Sequence, residues 1–131
     1  MPLDVHLVTP EREVWRGEAT MVVARGVDGD VGILSGHAPM LVALAIGPLF
    51  IHQESGVVGV AVDGGFLHVI SRGEDTRVDV LAEHAEMAEE IDLAVERARA
   101  EEEERLIGQG NAERRAHLAR AVARIRVREG G

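Results

Sequence analysis

The stretch TRVDVLAEHAEMAEEIDLAVERARA, residues 76–100, changes its period midway. Up to Leu81, the apolar residues Val78 and Val80 alternate with Arg77 and Asp79, as in a strand with one buried face. From His84 onward, Met87, Ile91, Ala94 or Val95, and Ala98 recur at helical spacing among Ala, Glu and Arg. The change divides the chain into a β-domain, residues 1–84, and a helical domain, residues 85–131.

Upstream of that boundary, short runs rich in Val, Ile and Leu are punctuated by Gly, Asp and Ser. LDVHLVT (3–9), ATMVVAR (19–25), VGILS (31–35), PLFIHQE (48–54), VVGVAVD (57–63) and FLHVIS (66–71) read as strands, with TRVDVLA (76–82) the last. Glu54-Ser55-Gly56 and Asp63-Gly64-Gly65 are predicted hairpin turns. Alternation within several runs points to an antiparallel sandwich or barrel. Downstream, residues 84–108 read as one helix, which Gly108-Gln109-Gly110 breaks. Asn111 is a fitting N-cap for a second helix over 111–129, with Glu113 in its first turn and an apolar stripe of Leu118, Val122 and Ile125. So short a connection predicts an antiparallel helical hairpin. Residues 86–107 carry nine acids and three arginines, net 3 − 9 = −6; residues 108–131 carry six arginines and two acids, net 6 − 2 = +4. The two helices therefore attract each other, while their Ala-rich contact face promises only weak packing.

Composition narrows function. In 131 residues the aromatics are Trp15, Phe50 and Phe66 alone, so Val, Leu, Ile and Ala must fill the core. No cysteine is present, which excludes disulfides and thiolate chemistry. A net charge of −9 opposes binding to a nucleic-acid backbone. The longest apolar run, 38–51, is interrupted by Pro39, Gly47 and Pro48 and falls short of the roughly 20 residues that span a bilayer. Without a basic segment leading into an apolar one at the N-terminus, a soluble protein inside the cell is expected.

Chemistry is hard to place. The six histidines (6, 37, 52, 68, 84 and 117) form no His-x-x-x-His pair, and a structural or surface role is expected for them. Asp28-Gly29-Asp30 starts like a calcium loop but lacks the later oxygen ligands. Gly26, Gly29, Gly32 and Gly36 lack the Gly-Lys-Ser/Thr of a phosphate loop. Ser35 and His37 have no acid positioned to orient the imidazole.

Gly29-Asp30-Val31-Gly32-Ile33-Leu34-Ser35-Gly36-His37-Ala38-Pro39-Met40-Leu41 resembles the Gly-x-x-Gly-Ile-x-x-Gly-His-x-Pro-Leu signature of the epsilon subunits of bacterial F-type ATP synthases, counterparts of the mitochondrial delta subunit. Val62-Asp63-Gly64-Gly65-Phe66-Leu67, Val80-Leu81-Ala82-Glu83 and the opening stretch Pro2-Leu3 through Trp15-Arg16-Gly17 are similar to further segments of that family. The resemblance covers nearly the whole chain.

It implies a mainly β fold plus α: an antiparallel β-sandwich of about ten strands, then the antiparallel helical hairpin. It also implies a non-catalytic rotor subunit of the central stalk, packed on the gamma subunit and seated on the ring of membrane c subunits. This subunit would couple proton translocation to ATP synthesis. It would be peripheral to the cytoplasmic face of the bacterial plasma membrane. Gly36, His37, Ala38, Pro39 and Met40 would contact the c ring and gamma. Arg120, Arg124 and Arg128, four residues apart on one helical face, would meet acidic surface on the catalytic beta subunit and inhibit ATP hydrolysis when the hairpin extends. Alternatively these arginines pair with glutamates of the first helix.

Some family members bind ATP on the hairpin through an Ile/Leu-Asp-x-x-Arg-Ala motif. Glu86, Asp92, Arg120 and Arg124 stand at matching positions here, but Val95 replaces the motif's arginine and Glu96 its alanine. Weak regulatory ATP binding or none is therefore expected, with no other cofactor and no metal. A free-standing β-sandwich adaptor that binds a partner through the hairpin is the alternative function, and a small enzyme using His37 a third.

Overall fold

The computed structural model describes residues 2–106 and 112–130. Seven strands come first: β1 (Leu3–Val8), β2 (Glu13–Ala19), β3 (Met21–Gly26), β4 (Gly29–Leu34), β5 (Met40–Gln53), β6 (Gly56–Arg72) and β7 (Asp75–Met87). A single 3₁₀ turn (Ala88–Glu90) leads to the helices α1 (Leu93–Leu106) and α2 (Ala112–Arg128). The strands form one sheet in the order β2-β1-β7-β6-β5-β3-β4. β1 runs parallel to β7, the one departure from antiparallel pairing among them.

Seven strands make a sandwich because three of them serve both layers. Between β5, β6 and β7 the ladder passes over Ala45, Gly64 and Glu83, which lie abreast. At that level the buried parity of all three strands flips. Leu44 gives way to Leu49 and Ile51 in β5, and Val60 and Val62 to Leu67 and Val69 in β6. In β7, Val78, Val80 and Ala82 give way to Ala85 and Met87. Each strand turns a corner there and presents its other face inward. One layer holds β2, β1 and the near halves of β7, β6 and β5; the other holds their far halves with β3 and β4. Counted by layer, five segments face five, which accommodates the ten strands implied by the resemblance.

Asp63-Gly64-Gly65 is therefore a bend inside β6 and not the predicted hairpin turn. Gly64 and Gly65 have φ of +72° and +111°, and a Cβ at Gly65 would lie 2.1 Å from the Leu81 carbonyl oxygen. Only glycine lets the two strands approach so closely. Glu54 and Ser55 do form the predicted turn, between β5 and β6.

The core is one cluster of Val, Leu, Ile and Ala drawn from both layers, as the composition required. The helical segment expected from His84 starts later. β7 runs to Met87, because pairing with β6 through Val60↔Met87 outweighs the helical propensity of His84-Ala85-Glu86-Met87. Asp92 accepts a bond from the Val95 N–H (3.2 Å) at the start of α1. Gly108-Gln109-Gly110 and the Asn111 cap lie outside the described residues.

The hairpin lies folded against the sandwich through α2, with α1 resting on α2. The buried residues of α2 are Ala121, Ala123 and Val127, not the predicted stripe. Val127 packs with Ala61 and Ile91 over Gly59, where a Cβ would come within 3.1 Å of the Val127 side chain. Leu118 and Ile125 are only half-buried and Val122 is 50% exposed. The small residues win the contact because they allow the helix close to the sheet. Val127→Ala is expected to weaken this docking by about 1–2 kcal/mol. Amide exchange would then quicken in α1 and α2 while the β1 and β7 amides stay protected.

Candidate docking surfaces and the helical cradle

The β4–β5 loop carries the predicted contact residues Gly36, His37, Ala38, Pro39 and Met40. Gly36, Ala38 and Pro39 are exposed, and His37 and Met40 partly so. The loop is strapped down at both ends of a turn. The Gly36 N–H donates to Thr76 Oγ1 (2.9 Å), and Ser71 Oγ donates to the His37 carbonyl (2.8 Å). Ser71 and Thr76 are themselves paired across β6 and β7, so the loop is anchored to the rigid sheet. The His37 ring lies with Nδ1 2.8 Å from the Ala38 carbonyl oxygen. Among the described residues no acid pairs with His37, and no group of His, Asp and Glu is arranged to hold a metal. The loop offers a shaped surface and no assembled nucleophile or base.

Beside it lies a surface that the strand pattern did not single out. On the outer face of the β2-side layer, Leu81 pairs directly with Phe66, and Phe66 with Ala43, while Leu41 sits one row away opposite His68. Leu41, Phe66 and Leu81 are 65%, 50% and 52% exposed. Apolar residues on the wet face of a sheet, bordering one another, mark an interaction site. Charged rows continue from them: Asp79 lies between His6 and His68 in register, and Arg77 donates to Asp79 (2.8 Å). That bond, with the nearby charges of Asp79 and Asp4, raises the Arg77 pKa above its ordinary value. The sequence did contain a signal here: Phe66 and Leu81 break the polar outward phase of their strands.

The third surface is the seam between α2 and the other layer. Arg120 donates from Nε to Asp63 (2.6 Å), and Arg124 from Nε to Glu86 (2.8 Å) and from Nη1 to Glu96 (3.5 Å). Asp63 and Glu86 stand on the outer face of β6 and β7, so the arginine row faces the sandwich here. Of Arg120, Arg124 and Arg128, Arg124 alone makes an ion pair to α1 among the described residues, through Glu96, while Arg120 turns to Asp63 of β6; Arg114 adds a further α1–α2 pair with Glu103 (3.4 Å). Arg128 is exposed and joins none of the ion pairs found among the described residues. Of the four residues matching the nucleotide motif, Glu86, Arg120 and Arg124 line one cleft of about 430 Å³ with Asp63 and His84. Asp92 does not line it and caps α1 instead.

Comparison with known proteins places this architecture. Residues 2–88 match the family model for the ATP synthase delta/epsilon chain, beta-sandwich domain. An ATP synthase epsilon chain from Thermobifida fusca is 51% identical over 95% of this chain and 90% of its own length. One from Streptomyces avermitilis is 45% identical over 92% of this chain and 95% of its own. A chain of the Euglena gracilis mitochondrial ATP synthase, solved as an OSCP/F1/c-ring assembly, shares the fold with a TM-score of 0.72 at 22% identity, covering 98% of this chain and 78% of that one. With a corner-turning sandwich, its strapped glycine loop and a docked helical hairpin, this chain belongs to the ATP synthase delta/epsilon family.

Proposed function

We propose that this chain is a non-catalytic central-stalk subunit of an F-type ATP synthase, transmitting rotation between the membrane ring and the catalytic head. The observation that carries this is identity with epsilon chains over nearly the full length, hairpin included. The exposed apolar surface of Leu41, Phe66 and Leu81 suits a permanent protein partner, and we assign it to the gamma subunit. The adjoining loop, Gly36 to Met40, is assigned to the c ring, because its anchoring to Ser71 and Thr76 gives it the stiffness a load-bearing contact needs. The subunit then sits at the cytoplasmic face of the bacterial plasma membrane without entering it, and no helix among the described residues is long and apolar enough to cross one.

The helical hairpin, α1 and α2, is the regulatory part. Folded down, it commits Arg120 and Arg124 to Asp63 and Glu86. Extended, it offers them with Arg128 to acidic surface on the beta subunit, and hydrolysis slows. ATP has little purchase on the cleft, since acids already occupy its arginines and Val95 supplies no charge. Because β7 ends at Met87, truncation after Glu90 spares every strand. In the reconstituted synthase that truncation is expected to raise ATP hydrolysis severalfold while ATP-driven proton pumping persists. Unchanged hydrolysis would show the hairpin to be structural only.

A further inference from the structure

Glu96 is an acid on a helix of acids, yet it is only 4% exposed. Its two oxygens face different arginines: Oε2 accepts from Arg99 Nη1 (2.8 Å) and Oε1 from Arg124 Nη1 (3.5 Å). Arg99 belongs to its own helix, whereas Arg124 belongs to α2 and also donates to Glu86 on β7. α1, α2 and the sandwich thus meet in one chain of charges, Arg99–Glu96–Arg124–Glu86. A carboxylate is buried at such a cost only when its partners compensate. Losing one partner leaves an uncompensated charge.

We infer that Glu96 is a built-in counter-ion that latches the folded hairpin by neutralising Arg99 and Arg124 together. The hairpin closes without any external anion. Opening it strips Arg124 from both Glu96 and Glu86 and frees the arginine in the same movement. This latch gives the proposed regulatory arm its resting state, and it follows from the isolated chain, so it can be tested apart from the stalk.

The chain has no cysteine, so Ser55→Cys on the β5–β6 turn and Glu101→Cys on α1, both exposed, give two specific label sites. Electron–electron distance measurement on the full chain is expected to show one closed distance that millimolar tripolyphosphate leaves unchanged. With Glu96→Gln the open fraction rises about tenfold or more, and tripolyphosphate restores the closed distance by bridging Arg99 and Arg124. Arg124→Gln opens the hairpin too, beyond rescue by the anion. Amide protection in β1 and β7 confirms that the sandwich is intact in each variant. A hairpin that stays closed in Glu96→Gln without anion, one that opens but is not restored, or an unsubstituted chain that closes only with tripolyphosphate would each overturn the latch. None of these outcomes bears on gamma binding, and loss of gamma binding leaves the latch standing.

Discussion

Gly65→Ala is expected to cost about 3 kcal/mol or more in stability, lowering the thermal midpoint by at least about 10 °C. Two penalties combine. The residue holds φ at +111°, which an alanine adopts only with strain, and its Cβ would lie 2.1 Å from a backbone oxygen of β7 that cannot step aside. The bend at this level gives β6 its change of inward face, so relief by straightening would expose Leu67 and Val69 or Val60 and Val62. Gly73→Ala is the control. It also has positive φ, +63°, but open space around it, and about 1 kcal/mol is expected from strain alone. Thermal unfolding of both variants by circular dichroism checks the difference. Equal costs would mean that β6 and β7 can separate at the bend.

Phe66→Asp with Leu81→Asp is expected to cost about 1–3 kcal/mol in stability and to leave the fold intact, because the two carboxylates stand opposite each other across β6 and β7 but lie outside the core. Its larger effect falls on assembly. Each residue buried at the centre of an interface is worth about 2 kcal/mol, and a carboxylate introduced there adds desolvation. Together the two changes are expected to weaken binding to gamma by about a thousandfold. Equilibrium binding to the gamma-containing catalytic complex measures it, with the unfolding midpoint as the check on folding. Unaltered affinity would move the gamma contact to another face.

Much of this was legible because period and composition act locally. The alternation at Val78 and Val80, the Ala/Glu/Arg helices and the glycine–histidine–proline loop each report their own segment. What stayed hidden depends on partners far along the chain. Gly64-Gly65 reads alike in a hairpin reversal and in a corner, and only the abreast placement of Ala45 and Glu83 decides between them. β2, with Gly17 and three charged residues among seven, has too weak a pattern to be read as a strand; Leu3↔Ala19 pairing with β1 makes it one. On α2 the larger side chains drew attention to Leu118, Val122 and Ile125, whereas close approach to Gly59 selects Val127 beside Arg120 and Arg124. Glu96 looked like one solvated acid among nine until α2 was placed over it.

The proposed contact with gamma is what joins this chain to the synthase, and the unsubstituted chain tests it in the same binding assay. Titrated against the catalytic head assembled with gamma and against the head without it, the chain is predicted to bind tightly and in a one-to-one ratio only when gamma is present. Equal binding to both, or to neither, would contradict the account.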